Sequence, residues 1–134
     1  MKLITAINTK GFIGLNGELP WRSTADLKYF KEQTVGCKLL VGRTTFEKLP
    51  PLKGRELIVV GTGHYTLQEA LNLNPDWIIG GASIYQQCAH LCEEWHLSII
   101  NDTTIGDVKL PEITTGNNTK IVFNYFDTNQ GSKQ

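Results

Sequence analysis

Short, almost wholly apolar runs recur along the chain, and segments with helical spacing separate several of them. The apolar runs occupy residues 3–7, 38–41, 57–60, 77–79, 96–100 and 120–126. The helical patterns occupy residues 25–34, 45–49, 67–73 and 83–92. Strands covered on both faces are continuously apolar, and strands that alternate with helices usually form parallel sheets. The pattern therefore predicts an α/β fold with a mixed, mostly parallel central sheet flanked by helices.

The helix predicted at residues 25–34 places an acidic side chain at the border of its apolar face. At about 100° per residue, Asp26 lies beside the arc that carries Leu27 and Phe30. An aspartate in the first turn also complements the helix dipole, which is the simplest explanation. A carboxylate beside apolar surface is costly to desolvate, however, and commonly binds a ligand or a proton. Asp26 is therefore a candidate functional residue as well, with Ser23 or Thr24 as the expected N-cap.

Two predicted strands end in glycine and lead directly into helix starts. These segments are Gly42-Arg43-Thr44-Thr45 and Gly80-Gly81-Ala82-Ser83. Helix N-termini present free N–H groups that suit phosphate, and glycine allows a ligand to approach the backbone closely. Glycine also simply permits a tight strand-to-helix turn. Because no Gly-x-Gly-x-x-Gly motif is present, an ordinary Rossmann site is not expected.

Size and charge narrow the class of protein. The 134 residues suit one domain over residues 1–134, and the formal net charge of zero gives no sign of a nucleic-acid-binding surface. No apolar run approaches the roughly 20 residues that span a membrane. The apolar start is broken at Asn8 and is too short for a signal peptide. We therefore expect a cytoplasmic protein with neither a nucleic-acid nor a membrane partner.

The three cysteines are an odd number and fit no disulfide framework. Cys88, Cys92 and His96, with His90 nearby, would share one helix face if the helix at residues 83–92 continued. Structural zinc motifs normally take ligand pairs from two separated segments, and buried cysteine commonly acts as a small apolar residue. We therefore predict no metal site.

Several motifs, taken in chain order, resemble the dihydrofolate reductase family. The stretch 11–21 is similar to its first strand exit and mobile loop, and residues 25–31 are similar to its substrate helix. Residues 40–47 and 78–85 are similar to its two cofactor segments. The match continues as far as about Pro111, through Gly54-Arg55 before the strand at 57–60, the strand at 96–100, and Gly106-Asp107.

The resemblance implies the reduction of 7,8-dihydrofolate to 5,6,7,8-tetrahydrofolate by NADPH, with hydride transfer to C6 and protonation at N5. Asp26 and Trp21 would be the catalytic residues, with an ordered water near Trp21. The substrate would contact Leu27, Phe30, Leu49, Arg55 and Ser98. Antifolates such as trimethoprim or methotrexate would bind at the same place.

The resemblance also implies a set of NADPH contacts. These would come from Ala6, Ile13, Gly14, Gly42, Arg43, Thr44, Thr45, Thr62, Gly80, Gly81, Ala82, Ser83 and Tyr85. Arg43 would bind the 2′-phosphate, and His64 is either a further phosphate contact or a solvated loop residue. Some family members have a basic residue where Ser83 stands, which weakens the expected preference for NADPH. The loop at residues 14–19 would close over the site.

The chain departs from the family pattern in two places. It runs almost directly from Val60 to the helix at residues 67–73, where the family has a further strand, and the usual final strand is missing. An exposed sheet edge must be blunted or paired, so we expect either a homodimer through an edge or modest stability. Two alternative functions remain open: a pyrimidine reductase of riboflavin synthesis, or a folate- or NADPH-binding structural protein with low turnover.

Overall fold

A computed structural model describes residues 1–15, 19–116 and 118–129. The helices are α1 (Thr24–Thr34), α2 (Arg43–Lys48), α3 (Leu67–Asn72) and α4 (Ala82–Cys88). The strands are β1 (Lys2–Asn8), β2 (Phe12–Gly14), β3 (Lys38–Gly42), β4 (Glu56–Val60), β5 (Trp77–Ile78), β6 (Glu94–Asn101), β7 (Val108–Lys109) and β8 (Lys120–Asp127). Every predicted strand and helix is present, with shifts at the ends.

The central sheet has six strands in the order β4-β3-β5-β1-β6-β8, and each neighbouring pair is parallel. The predicted α/β class with a mostly parallel sheet is confirmed. Antiparallel pairing occurs in a separate two-stranded sheet of β2 and β7. The sequence pattern did not indicate these two strands, because each is too short to show alternation.

The core has two layers because successive side chains of a strand point to opposite faces of the sheet. Leu3 packs on one face, in a cluster that includes Ile84 and Cys88 of α4. The next residue, Ile4, packs on the other face beside Tyr29 and Phe30 of α1. Helix α1 therefore covers one face of the sheet and α4 the other.

Helix α4 is shorter than the pattern predicted. It ends at Cys88, a 3₁₀ turn spans Ala89–Leu91, and β6 begins at Glu94. Cys88 and Cys92 are buried and free, whereas His96 lies on β6 rather than on a continued helix. Within the described residues, no group of three or more histidine, cysteine, aspartate or glutamate side chains could hold a metal ion.

The two departures from the family pattern have structural counterparts. Between β4 and α3, the described chain forms a turn with one isolated bridge between Val60 and Tyr65. At the other side of the sheet, β8 pairs with β6 and is the edge strand of the part of the sheet that is described. Residues 130–134, where a final strand would continue, lie outside the described residues. None of the helices described is long and apolar enough to cross a membrane.

Candidate active site

The Asp26 carboxylate is buried against the sheet. Ser23 caps α1 by accepting a hydrogen bond from the Asp26 backbone N–H over 3.2 Å, which places Asp26 in the first turn. Only 8% of Asp26 is exposed. Burial raises the pKa of its carboxyl to about 6, while a hydrogen bond from the Ser98 hydroxyl opposes this rise. Asp26 can therefore exchange a proton near neutral pH.

Ser98 and Trp21 are two further buried residues of the predicted site, and they come from other parts of the chain. Ser98 is buried on β6, where it pairs in register with Ala6 of β1. Trp21 is buried, and its indole Nε1 has no hydrogen-bond partner in the described structure. A buried N–H donor without an acceptor is unusual, so it suits a water or ligand atom. The donor chemistry at Trp21 fits its predicted role.

The residues predicted to contact substrate lie on neighbouring elements. Leu27 is 52% exposed, whereas Phe30 and Leu49 are half-buried. The Arg55 guanidinium lies 5.9 Å from the centre of the Phe30 ring and donates from Nη1 to the Thr34 hydroxyl over 3.4 Å. Arg55 Nε also donates to the Lys53 carbonyl oxygen over 3.1 Å. The carboxyl-terminal half of α1 thus holds Arg55 beside Phe30.

The two glycine segments abut at the carboxyl ends of β3 and β5. The Gly42 backbone N–H donates to the Gly80 carbonyl oxygen over 2.8 Å. A Cβ atom added at Gly81 would come 2.7 Å from the Thr45 hydroxyl oxygen, and one added at Gly42 would come 3.3 Å from Ile84. A Cβ atom at either position would crowd these neighbours, so glycine keeps the two segments close together. This geometry fits the phosphates of a dinucleotide.

The predicted adenosine end lies at the exit of β4. A Cβ atom added at Gly61 would lie 2.8 Å from the Cβ atom of Arg43. Arg43 Nη1 is 3.4 Å from Glu47 Oε2, and the Arg43 side chain remains 44% exposed. Thr62 and His64 are exposed in the same turn, and the His64 ring lies 5.9 Å from that of Phe46. The structure therefore brings Arg43 close to the turn that carries Thr62 and His64.

The other predicted cofactor contacts differ in accessibility. Thr44 and Ser83 are exposed, and Ser83 Oγ accepts a hydrogen bond from Gln87 over 2.9 Å. Ala82 is half-buried. Tyr85 is buried beneath Gly80 and donates its hydroxyl to the Ile4 carbonyl oxygen over 2.8 Å. Burial also raises the Tyr85 pKa, so the ring serves as a neutral support for the glycine segment.

The predicted nicotinamide side is formed by β1 and β2. Ala6 and Ile13 are half-buried, and the buried Gly14 accepts a hydrogen bond at its carbonyl oxygen from the Asp107 N–H over 2.9 Å. Residues 16–18 lie outside the described residues, so closure of the loop at 14–19 stays a prediction.

Sequence reasoning missed Asn124 of β8. Asn124 pairs in register with Ser98, and its Nδ2 is buried without a hydrogen-bond partner in the described structure. Paired residues of neighbouring strands point to the same face, so Asn124 lies on the face that α1 covers. A polar residue amid the apolar run at residues 120–126 was the available signal.

This fold and site define an α/β protein with a dinucleotide-type crevice beside a buried, protonatable carboxylate. The family model described as "Dihydrofolate reductase" matches residues 1–133. The chain belongs to the dihydrofolate reductase family.

Individual relatives agree with this assignment. A dihydrofolate reductase of Mycobacterium tuberculosis is 34% identical, covering 81% of this chain and 78% of the relative. A type 15 dihydrofolate reductase of Escherichia coli is 33% identical, with 84% and 82% covered. The solved structure of the Enterococcus faecalis dihydrofolate reductase complexed with NADP(H) and RAB-propyl is 32% identical. It superposes with a TM-score of 0.76 over 84% of this chain and 77% of that one.

Proposed function

We propose that this chain reduces 7,8-dihydrofolate to 5,6,7,8-tetrahydrofolate with NADPH. The observation that carries the proposal is Asp26, a carboxylate 8% exposed with its pKa raised to about 6. It lies on a helix packed against the same sheet whose strand ends form the glycine crevice. Carboxyl groups with this kind of shift are typical of sites that bind and move protons.

NADPH, when bound, supplies the hydride that C6 of the pterin receives. Backbone groups of Gly42, Gly80 and Gly81 would hold the phosphates, with Thr44, Thr45, Ala82 and Ser83 alongside. Arg43 and Thr62 would bind the adenosine end, where a guanidinium matches a 2′-phosphate. Ala6, Ile13 and Gly14 would line the nicotinamide side, with Tyr85 beneath the glycine segment. The close contact between Gly81 and Thr45 supports this arrangement, since a Cβ atom at Gly81 would lie 2.7 Å from the Thr45 hydroxyl oxygen.

Asp26 would accept hydrogen bonds from a ring nitrogen and the exocyclic amine on one edge of the pterin. With a pKa of about 6, the carboxyl group can also favour protonation at N5. Trp21 would hold an ordered water for this step, because its buried Nε1 lacks an acceptor among the described residues. Ser98 keeps the carboxylate oriented.

The rest of the substrate would lie along α1. Leu27, Phe30 and Leu49 would sandwich the flat ring and the benzoyl group. Arg55 would bind the α-carboxylate of the glutamate tail, since its guanidinium is already held beside Phe30. Trimethoprim and methotrexate, which present similar ring edges, are expected to compete at Asp26. Three free thiols also fit the reducing cytosol that we propose as the location.

The activity is tested by the loss of NADPH absorbance after dihydrofolate is added, measured against the same mixture without dihydrofolate. Rapid loss that requires dihydrofolate supports the reductase. Methotrexate binding without turnover would instead support the structural binding protein, and turnover of a riboflavin-pathway pyrimidine alone would support the pyrimidine reductase. Repeating the assay with NADH tests the cofactor preference.

We further propose that two copies associate through the edge strand β8. Its side chains on the face opposite α1 are strongly exposed, at 40% for Ile121, 53% for Phe123 and 74% for Tyr125. Antiparallel pairing centred on Phe123 would place Ile121 of each copy opposite Tyr125 of the other, which forms a self-complementary apolar stripe. Unpaired strand edges with apolar side chains favour this kind of pairing.

The mass in solution tests the dimer. Sedimentation should give a dimer for the native chain and a monomer for Phe123→Lys. Ile105→Lys changes another exposed apolar residue, 66% exposed, and should leave the dimer intact. A native monomer with ordinary stability would refute the association.

A further inference from the structure

A partly buried chain of hydrogen bonds joins α1 to β6 outside the residues assigned to the site. Tyr29 of α1 bonds through its hydroxyl to His96 Nδ1, and His96 Nε2 lies 2.5 Å from Glu94 Oε1. His96 is only 6% exposed. Glu94, His96 and Ser98 alternate along β6 and therefore share the face that α1 covers.

The negative charge of Glu94 determines which atom donates and which accepts in each of these hydrogen bonds. The hydrogen bond from His96 holds the pKa of the Glu94 carboxyl below its usual value, and Lys2 Nζ lies 4.0 Å from Glu94 Oε1. An ionised carboxylate only accepts hydrogen bonds, so His96 Nε2 carries a proton and donates it to this bond. In a neutral ring, Nδ1 then accepts the hydrogen bond from the Tyr29 hydroxyl.

Aromatic contacts restrict two members of this hydrogen-bonded series, His96 and Tyr29. The His96 ring meets Trp77 edge-on with centroids 5.0 Å apart. The Tyr29 ring lies 5.9 Å from the ring of Phe126 on β8. Off-centre aromatic contacts of this kind restrict the rings in addition to burying them. The hydrogen bonds therefore join side chains whose positions are already restricted.

The same helix is also attached at its amino-terminal end. Ser23 Oγ donates to the Asp127 carbonyl oxygen over 2.8 Å, and Asn129 Oδ1 accepts from the Thr24 N–H over 3.0 Å. Asp26 lies between this attachment and Tyr29, within one turn of each. Its partner Ser98 is two residues beyond His96 on β6. Both groups of the Asp26–Ser98 hydrogen bond thus lie on elements that Tyr29 and His96 connect.

We propose that the hydrogen bonds linking Tyr29, His96 and Glu94 fix the position of α1 on β6 and thereby position the Asp26 carboxylate against the substrate ring. Tyr29 and His96 are positioning residues that act through Asp26, so the inference rests on the proposed function. A displacement near 1 Å at a reacting group can cost up to a hundredfold in rate. Tyr29 and His96 therefore affect turnover, although neither has an assigned contact with substrate or cofactor.

Tyr29→Phe is the central variant, because it keeps the ring and removes only the hydroxyl. We expect kcat/KM for dihydrofolate to fall about tenfold, with kcat reduced and KM raised, while the Kd of NADPH is unchanged. The matched control is Tyr65→Phe, which removes a hydroxyl from a side chain 45% exposed between β4 and α3. Thermal unfolding of both variants shows whether the assay temperature leaves them folded.

Changes at His96 test whether the residues act as one chain. His96→Gln offers a donor and an acceptor and should retain more kcat/KM than His96→Leu. In a double-mutant cycle, Tyr29→Phe added to His96→Leu should cost little more, because the chain is already broken. Additive losses would overturn the proposal, as would a Tyr29→Phe protein that is less stable but has native kcat and KM.

Asp26→Asn separates this inference from the function on which it depends. If Asp26→Asn abolishes turnover while Tyr29→Phe leaves kcat/KM native, the positioning role alone is wrong. If the native protein does not oxidise NADPH with dihydrofolate, the proposed function fails. If it does and Asp26→Asn keeps native turnover, the role of Asp26 is wrong, and the positioning role fails with it.

Discussion

The two halves of the crevice are built by different means. The cofactor half is mainly backbone, where the Gly42 N–H bonds to the Gly80 carbonyl oxygen and Gly81 approaches the Thr45 hydroxyl. The substrate half is formed by side chains, with Asp26 buried beside Ser98. The cofactor half depends on the space that glycine leaves beside the backbone. The substrate half depends on a carboxyl group that is buried away from water.

This difference teaches which substitutions should affect which ligand. Loss of charge at Asp26 leaves the glycine crevice intact, because α1 packs on one face of the sheet and α4 on the other. An added methyl group in the crevice leaves the carboxylate intact for the same reason. A substitution in the substrate half should therefore change kcat for dihydrofolate, and one in the cofactor half should change the Kd of NADPH.

The largest expected effect is that of Asp26→Asn on turnover. The amide is nearly the same size but cannot take up a proton, so kcat for dihydrofolate should fall at least about a hundredfold near neutral pH. The native enzyme should lose activity as the pH rises above about 6, when Asp26 ionises, and the variant should lack this dependence. Steady-state kinetics from pH 5 to pH 9 measure both.

Glu32→Gln is the control, because Glu32 is an exposed carboxylate on the same helix. It should retain native kcat and the native pH profile. The Kd of NADPH, measured by fluorescence titration, should be unchanged in both variants. Weaker NADPH binding in Asp26→Asn would contradict the independence of the two halves.

Gly81→Ala should produce a smaller effect, on the cofactor. Its Cβ atom would lie 2.7 Å from the Thr45 hydroxyl oxygen, so either the Thr45 side chain must turn away or the two glycine segments must shift apart. We expect the Kd of NADPH to rise about tenfold, which corresponds to about 1.4 kcal/mol. Binding of methotrexate in the absence of cofactor should change little. Gln86→Ala, exposed on α4, serves as the control, and an equal loss of methotrexate affinity in Gly81→Ala would refute the separation.

Asp26→Asn should also increase stability, which is an effect on folding rather than on a ligand. Between about pH 4 and pH 6 the folded protein keeps a proton on Asp26 that the unfolded chain releases, so the free energy of unfolding falls as the pH rises. Above pH 6 the full penalty, at most about 3 kcal/mol, applies to the native protein and not to the variant. Urea unfolding at pH 4 and pH 7.5 compares the two. A variant less stable than the native protein at pH 7.5 would show that burial does not penalise this carboxylate.

The sequence predicted the strands in the middle of the sheet well, because these are continuous apolar runs covered on both faces, unlike the edge strand β8. It predicted the buried Asp26 from its place on the helix and the glycine crevice from two strand-to-helix turns. It placed His96 at the start of the strand predicted at residues 96–100, which is β6, but it did not indicate the hydrogen bond of His96 with Tyr29 of α1. Nor did it indicate Asn124, whose place beside Ser98 is set by strand pairing. Contacts between residues distant in sequence leave no local pattern.

The hydrogen bonds between α1 and the end of β8 have a practical consequence. Ser23 and Thr24 are held by the Asp127 carbonyl oxygen and the Asn129 side chain. Shortening the protein through these positions, or fusing a bulky tag directly after them, would disturb the start of the helix that bears Asp26. Random mutagenesis should therefore find inactive variants at positions 127–129 although these lie about 100 residues from Asp26 in sequence.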